Sequence, residues 1–250
     1  MRVAPEAAAE GATLVGPPFL SRPMAGPLGG ADNLDSFVPL LIEMFGEGWC
    51  AGGNLSVMFK GSAAEGDPLR AEATPGRERA RLELRTKAMV LVCQGTGADH
   101  ADAGSELSRR LLSQEAAPRS AVRILTGLTV GAEAQGIALS LPAEAAKAAP
   151  QAALAPSQAV ELAGVAISHA VGAELAASGR LGGVEIQFLE GPLRAGADYL
   201  ARTRLHAVTE SLEAEAVWFD VLIADPKTGR DQARLTFCLT FSKAASPLWT

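Results

Sequence analysis

The chain has 250 residues, 48% of them hydrophobic and 20% charged, which supplies enough apolar material for one large domain or two ordinary ones. Its formal net charge is −6 and it has no lysine or arginine run, which argues against nucleic acid and anionic membrane as partners. Three cysteines, Cys50, Cys93 and Cys238, lie far apart without a Cys-x-x-Cys pair, so the expectation is buried free thiols rather than a disulfide framework or a zinc site.

The N-terminal stretch MRVAPEAAAEGATLV lacks the apolar core of a signal peptide, and no uncharged apolar run reaches the roughly 18 residues that span a bilayer. A soluble cytoplasmic protein is expected. Next comes PLGGADNLDSF, with Gly29–Gly30 just ahead of a helical pattern over Asn33–Trp49. Phe37, Leu40, Leu41, Met44 and Phe45 recur there at helical spacing, Asp35 and Ser36 are N-cap candidates, and Pro39 suits the first turn. Gly52–Gly53 then separate this helix from strand material ending near Phe59. Ala80, Leu82 and Leu84 alternate with charged residues, the pattern of a sheet with one wet face, and Ala88–Cys93 reads as a more buried strand.

Gly97–Ser120 is polar and alanine-rich and reads as a connector that includes a surface helix, SELSRRLLSQ. Thr126–Pro142 reads as a hairpin, and Pro142–Ser157 as a low-complexity loop. A second helix is expected over Ser157–Gly179, with Ser157 as N-cap and Gly179 as stop. Leu212–Ile223 and Ala233–Phe241 are two strands joined by a turn built on Pro226 and Gly229. Leu235, Phe237, Leu239 and Phe241 point one way along the last strand, and Thr236, Cys238 and Thr240 the other.

The two halves repeat. Gly52, Gly53, Gly61 and Gly66 fall on Gly182, Gly183, Gly191 and Gly196 at a constant offset of 130 (182 − 52). The default meaning of such glycines is structural: helix ends, strand starts and tight turns.

A hairpin, a central helix, a Gly-Gly step and a strand closing in MFKGSAAEGD (58–67) or FLEGPLRAGA (188–197) resembles the hot-dog fold, with acyl-CoA thioesterases as the nearest look-alikes. The resemblance covers most of both halves. It implies an α+β tandem hot dog: two antiparallel sheets, each wrapped around a central helix, joined edge to edge as a pseudo-dimer. The corresponding domains are 1–115 and 116–250. It further implies an acyl thioester, on coenzyme A or another carrier, as ligand, with no cofactor and no metal; a homodimer of double hot dogs is an arrangement it allows.

In the thioesterase relatives a His-Gly-Gly stretch lies ahead of the central helix, and a carboxylate follows about two turns later. Here Leu28 stands at the histidine position, before Gly29 and Gly30. The carboxylate position falls near Phe37 in the first half and near Ser168, beside His169, in the second. The resemblance therefore points to the Gly29–Gly30 amides as oxyanion donors, to His169 or Asp35 as the water-orienting group, and to Asn33 and Ser168 as substrate contacts. The structural alternatives are helix capping for Asp32, Asn33 and Asp35 and a packed helix histidine for His169. Glu43, Glu47, Glu174, His100 and His206 read as solvated, and Trp49 and Trp218 as core or tunnel lining. The functions expected, in order, are thioester hydrolysis, non-catalytic binding of an acyl thioester, and enoyl-thioester hydration or dehydration.

Overall fold

The computed structural model describes residues 12–21, 28–145 and 153–249. The stretch 146–152 of the low-complexity loop and most of the N-terminal stretch lie outside the described residues. Short strands β1 (Leu14–Val15) and β2 (Phe19–Leu20) precede a 3-10 turn over Ala31–Phe37, then α1 (Val38–Phe45), α2 (Trp49–Gly52), β3 (Asn54–Phe59), β4 (Pro68–Thr74), β5 (Ala80–Thr86) and β6 (Leu91–Ala98). α3 (Glu106–Ser113) follows, then β7 (Glu133–Ser140), α4 (Pro156–Leu162), α5 (Gly164–Val171), α6 (Ala173–Ser178), β8 (Arg180–Phe188), β9 (Asp198–Glu210), β10 (Ala214–Ala224) and β11 (Asp231–Ser242).

All strands join one antiparallel sheet of 11 strands in the order β1-β4-β5-β6-β3-β8-β11-β10-β9-β7, with β2 on β4. The two sheets expected to meet edge to edge thus form one continuous sheet, joined at β3 and β8. The unpaired edges of β3 and β8 satisfy each other's backbone groups, from Asn54 opposite Gln187 to Met58 opposite Gly183. Read from either edge, the order repeats: β1 corresponds to β7, β4 to β9, β5 to β10, β6 to β11 and β3 to β8.

The helices differ from the two long ones expected. Gly46 (φ 83°) ends α1 and Gly172 (φ 88°) separates α5 from α6, conformations that only glycine adopts without strain. The first turn starts from Gly30 (φ 93°), not from a side-chain cap at Asp35 or Ser36, and the N-cap position of α4 is Ala155, which makes no side-chain cap bond, not Ser157. Gly179 does end the last helix, and Pro39 does sit in the first turn of α1. Of the hairpin expected over Thr126–Pro142 only β7 forms, and Ala88–Val90 make a turn ahead of β6, with Met89 at φ 65°.

One face of the sheet packs against the helices. Leu34, Phe37, Leu40 and Leu41 from the first half, and Val160, Ala163, Ile167 and Val171 from the second, are buried with Val57, Ile186, Phe219 and Phe237. Ala159, Ala163 and Ala166 are fully buried, so the alanine-rich helix does approach the sheet closely. Trp49 belongs to this core and meets Phe188 across the seam edge to face, with centroids 5.8 Å apart. Trp218 lies on the other face, in a small cluster with Leu107 and Cys238.

The glycine repeat has two fates. Gly66 (φ 82°) and Gly196 (φ 74°) make equivalent turns before β4 and β9. Gly52–Gly53 close α2, whereas Gly182–Gly183 lie inside β8. Val57 and Ile186 both face the core, so these strands correspond at an odd offset such as 129 (186 − 57), not at the even glycine offset. An offset of 130 would match core-facing Leu55 with Glu185, which faces the other way; a one-residue slip exchanges the faces of a strand.

Candidate functional site

The Leu28-Gly29-Gly30 turn is held by backbone bonds from Ala31 N to Leu28 O (3.1 Å) and from Asn33 N to Gly30 O (3.0 Å). Asn33 is buried, and its carbonyl accepts from Ser36 Oγ at 2.6 Å. Asp35 reaches across to the other half, where its carboxylate accepts from Ser157 N (2.8 Å) and Ser157 Oγ (2.6 Å). Those bonds cap the first turn of α4, whose leading N–H groups have no partner within the helix.

Two clefts flank this turn. One, of about 590 Å³, lies between Phe19–Ser21 and the 3-10 turn and is lined by Asp32, Asn33, Asp35 and Ser36. The other is a slot of about 670 Å³ at the seam, where Gly29 faces Met58, Phe59, Arg180, Gly182 and Thr240. The predicted residues are thus divided: Gly29 lines the seam slot, while Asn33 and Asp35 line the neighbouring cleft.

Ser168 and His169 are on α5 and line neither cleft. Ser168 Oγ turns back to Gly164 O at 3.4 Å, and His169 is exposed. Phe37, at the carboxylate position of the first half, is fully buried in the core. Glu43, Glu47, Glu174 and His100 are exposed, as expected. His206 departs from its surface reading: its Nε2 lies 2.9 Å from Asp220 Oδ2, and Asp220 also accepts from Thr236 Oγ1 at 2.7 Å. This pair sits on the sheet face away from the core, among Arg202, Arg204 and Arg234.

A second polar group escaped the sequence reading. Glu185 is 7% exposed and sits on β8 at the seam. Its carboxylate accepts from Asn54 Nδ2 (3.0 Å), Ser56 Oγ (3.0 Å), Ser108 Oγ (3.3 Å) and the Ser105 hydroxyl. Burial pushes its pKa up, and the four donors act against that rise. The signal was present as alternation: Asn54 and Ser56 on β3, and Glu185 and Gln187 on β8, are polar at every second position of otherwise apolar strands.

Among the described residues no group of three or more His, Cys, Asp or Glu side chains is placed to hold a metal ion, and no helix is long and apolar enough to cross a membrane. Cys50, Cys93 and Cys238 are free and buried, and burial pushes the Cys238 thiol up to about 12.

No family model and no curated protein matches the chain. Solved structures do. A Mycobacterium tuberculosis protein described as having a double hot-dog fold, and as essential for bacterial survival during infection, aligns with a TM-score of 0.58 at 11% identity, over 94% of this chain and 97% of its own. A putative oleoyl thioesterase from Lactobacillus plantarum aligns with a TM-score of 0.56 at 8% identity, over 96% and 98%. The dehydratase domain of PpsC from Mycobacterium tuberculosis, in complex with C12:1-CoA, aligns with a TM-score of 0.57 at 15% identity, over 92% and 94%.

Proposed function

Because the chain has the double hot-dog fold, we propose that it takes an acyl thioester into the seam slot and hydrolyses it. The observation that carries this reading is the slot itself, about 670 Å³, which brings Gly29 of the first half against the ends of β3 and β8. Two structural neighbours support the substrate class: one is described as a putative thioesterase, and the other holds an acyl-CoA. In this reading the chain is a pseudo-dimer of units 1–115 and 116–250, working in the cytoplasm, and the slot is the space left where the units meet. A thioester carbonyl lies over the Gly29–Gly30 turn, where the absence of side chains lets it approach backbone N–H groups that stabilise the developing oxyanion. Asn33 and Asp35 border the neighbouring cleft, where Asp35 fixes the turn against the first turn of α4.

One set of observations favours a second reading, binding without turnover. Leu28 stands where a histidine is needed, Phe37 is buried at the carboxylate position, and Asp35 is bonded to Ser157. A panel of acyl-CoA thioesters separates the two, assayed with the wild type, Gly29→Val, Asp35→Asn and His169→Ala. Hydrolysis is expected in the wild type, with loss in Gly29→Val and little change in His169→Ala, whose imidazole faces solvent. Tight coenzyme A binding with no turnover on any chain length selects the second reading, and neither binding nor turnover refutes both.

A further inference from the structure

The two clefts beside the Leu28-Gly29-Gly30 turn differ in the sign of their charge. Among the described residues, the cleft on the Phe19–Ser21 side is lined by the carboxylates of Asp32 and Asp35 and by no lysine or arginine. The seam slot is the reverse. Arg180 is the one charged residue in its wall, and the remaining positions are apolar, glycine or hydroxyl-bearing. The chain as a whole carries a net charge of −6, so a cation at this slot is not the overflow of a basic surface.

The strand register places Arg180 at the mouth. The ladder between β3 and β8 ends where Met58 stands opposite Gly183. Beyond that pair the slot opens between Phe59, Gly61 and Ser62 on one side and Arg180–Gly182 on the other. Lys60 lies at the same end, between Phe59 and Gly61, and is exposed. The backbone of Arg180 is fixed, because it pairs with Thr240 of β11 and its carbonyl accepts from Thr240 Oγ1 at 3.3 Å. Its side chain is exposed, and among the described residues no ion pair joins a carboxylate to Arg180 or to Lys60. The arginines on the outer sheet face are different: Arg202 reaches Asp231 at 3.0 Å, Arg204 reaches Glu133 at 3.7 Å and Arg234 reaches Asp220 at 3.9 Å. Those cations are matched within the protein, whereas the pair at the slot is left for something else.

We infer that the seam slot selects a thioester on a phosphorylated carrier, with Arg180 holding the phosphate at the mouth and Lys60 beside it. A guanidinium presents a planar fork of N–H donors that matches phosphate oxygens, and an ammonium adds a point charge. The uncharged remainder of the ligand runs inward past Leu181, Phe59 and Met58 towards Gly29, along the apolar part of the wall. In the neighbouring cleft the same anion would meet Asp32 and Asp35, which repel it. The inference rests on the thioester reading and adds to it the charge of the carrier as a determinant of binding.

The test is calorimetric titration of the full chain with pantetheine, 4′-phosphopantetheine and coenzyme A at low and high salt, for the wild type, Arg180→Ala and Arg180→Lys. At low salt the wild type is expected to bind both phosphorylated ligands roughly tenfold tighter than pantetheine, and the preference should shrink at high salt. Arg180→Ala should lose the preference while its pantetheine affinity stays at the wild-type value, and Arg180→Lys should keep part of it. Equal affinity for 4′-phosphopantetheine and coenzyme A assigns the contact to the phosphate they share, and tighter coenzyme A binding assigns it to the nucleotide phosphates; either supports the inference. A wild type that binds all three alike overturns it. So does an Arg180→Ala protein that keeps the preference, or that loses pantetheine affinity as much as coenzyme A affinity. Binding of pantetheine without preference removes this inference and leaves the thioester reading standing, whereas no binding of any of the three, with no thioester turned over, removes both.

Discussion

Asp35 of the first half closes the first turn of a helix in the second: its carboxylate takes both the backbone N–H of Ser157, at 2.8 Å, and the Ser157 hydroxyl, at 2.6 Å. The contact joins segments 122 residues apart, so it ties the two helical layers together as well as capping one of them.

That relationship makes Asp35 a stability residue whatever else it does. Asp35→Ala is expected to cost about 1–2 kcal/mol in urea unfolding, the upper part of the range for a lost cap. Ser157→Ala keeps the backbone donor and should cost less. In a double-mutant cycle the two substitutions should couple, because they share the bond; strict additivity would show that the contact contributes nothing.

Glycines give a sharper contrast. Gly95 is not one of the repeated glycines, yet a Cβ there would lie 1.9 Å from the Ser56 carbonyl oxygen, a backbone atom of the partner strand. Gly52 does belong to the repeat, and a Cβ there meets nothing within 4 Å. Gly95→Ala should therefore abolish or severely weaken folding by separating β3 from β6, and Gly52→Ala should leave the melting temperature within a degree or two of wild type (roughly 0.5 kcal/mol). The reverse ranking would mean that the repeated glycine spacing, not close backbone approach, carries the structural demand.

Glu215 sets the acid limit. It is fully buried on β10 and accepts from the backbone N–H groups of Arg123, Ile124 and Leu125 and from Trp249 Nε1 at 3.1 Å. Burial by itself would raise its pKa, but these donors together hold it below the ordinary value of 4.5. A depressed folded-state pKa gives stability that is present above the unfolded value and lost as pH falls through the folded one. Glu215→Gln should cost stability near neutral pH, by about 1.5–3 kcal/mol for a charge-assisted bond, and the cost should shrink in strong acid. Trp249 packs over Arg123 and Lys243, so its fluorescence should report the same transition. An equal cost at all pH values would assign the loss to shape rather than charge.

The strands and the folding class were legible in the sequence where period and composition act locally. Leu235, Phe237, Leu239 and Phe241 do face the core, and Ala80, Leu82 and Leu84 do form the inner face of β5. The turn glycines 66 and 196 do mark equivalent corners, because a positive φ is a demand that one residue meets alone.

What tertiary structure decided is what depends on partners distant in the chain. The glycine offset of 130 reads as a straightforward repeat, but the core faces of β3 and β8 require an odd offset, and only their burial in the folded sheet reveals it. Asp35 reads as a cap for its own helix and caps another; Glu185 reads as one charge in an apolar strand and becomes the centre of a network drawn from β3, β8 and α3. Local propensity specifies how a segment folds, whereas burial of a polar group is settled by whichever segments reach it with matching donors, and the chain's order does not say which those are.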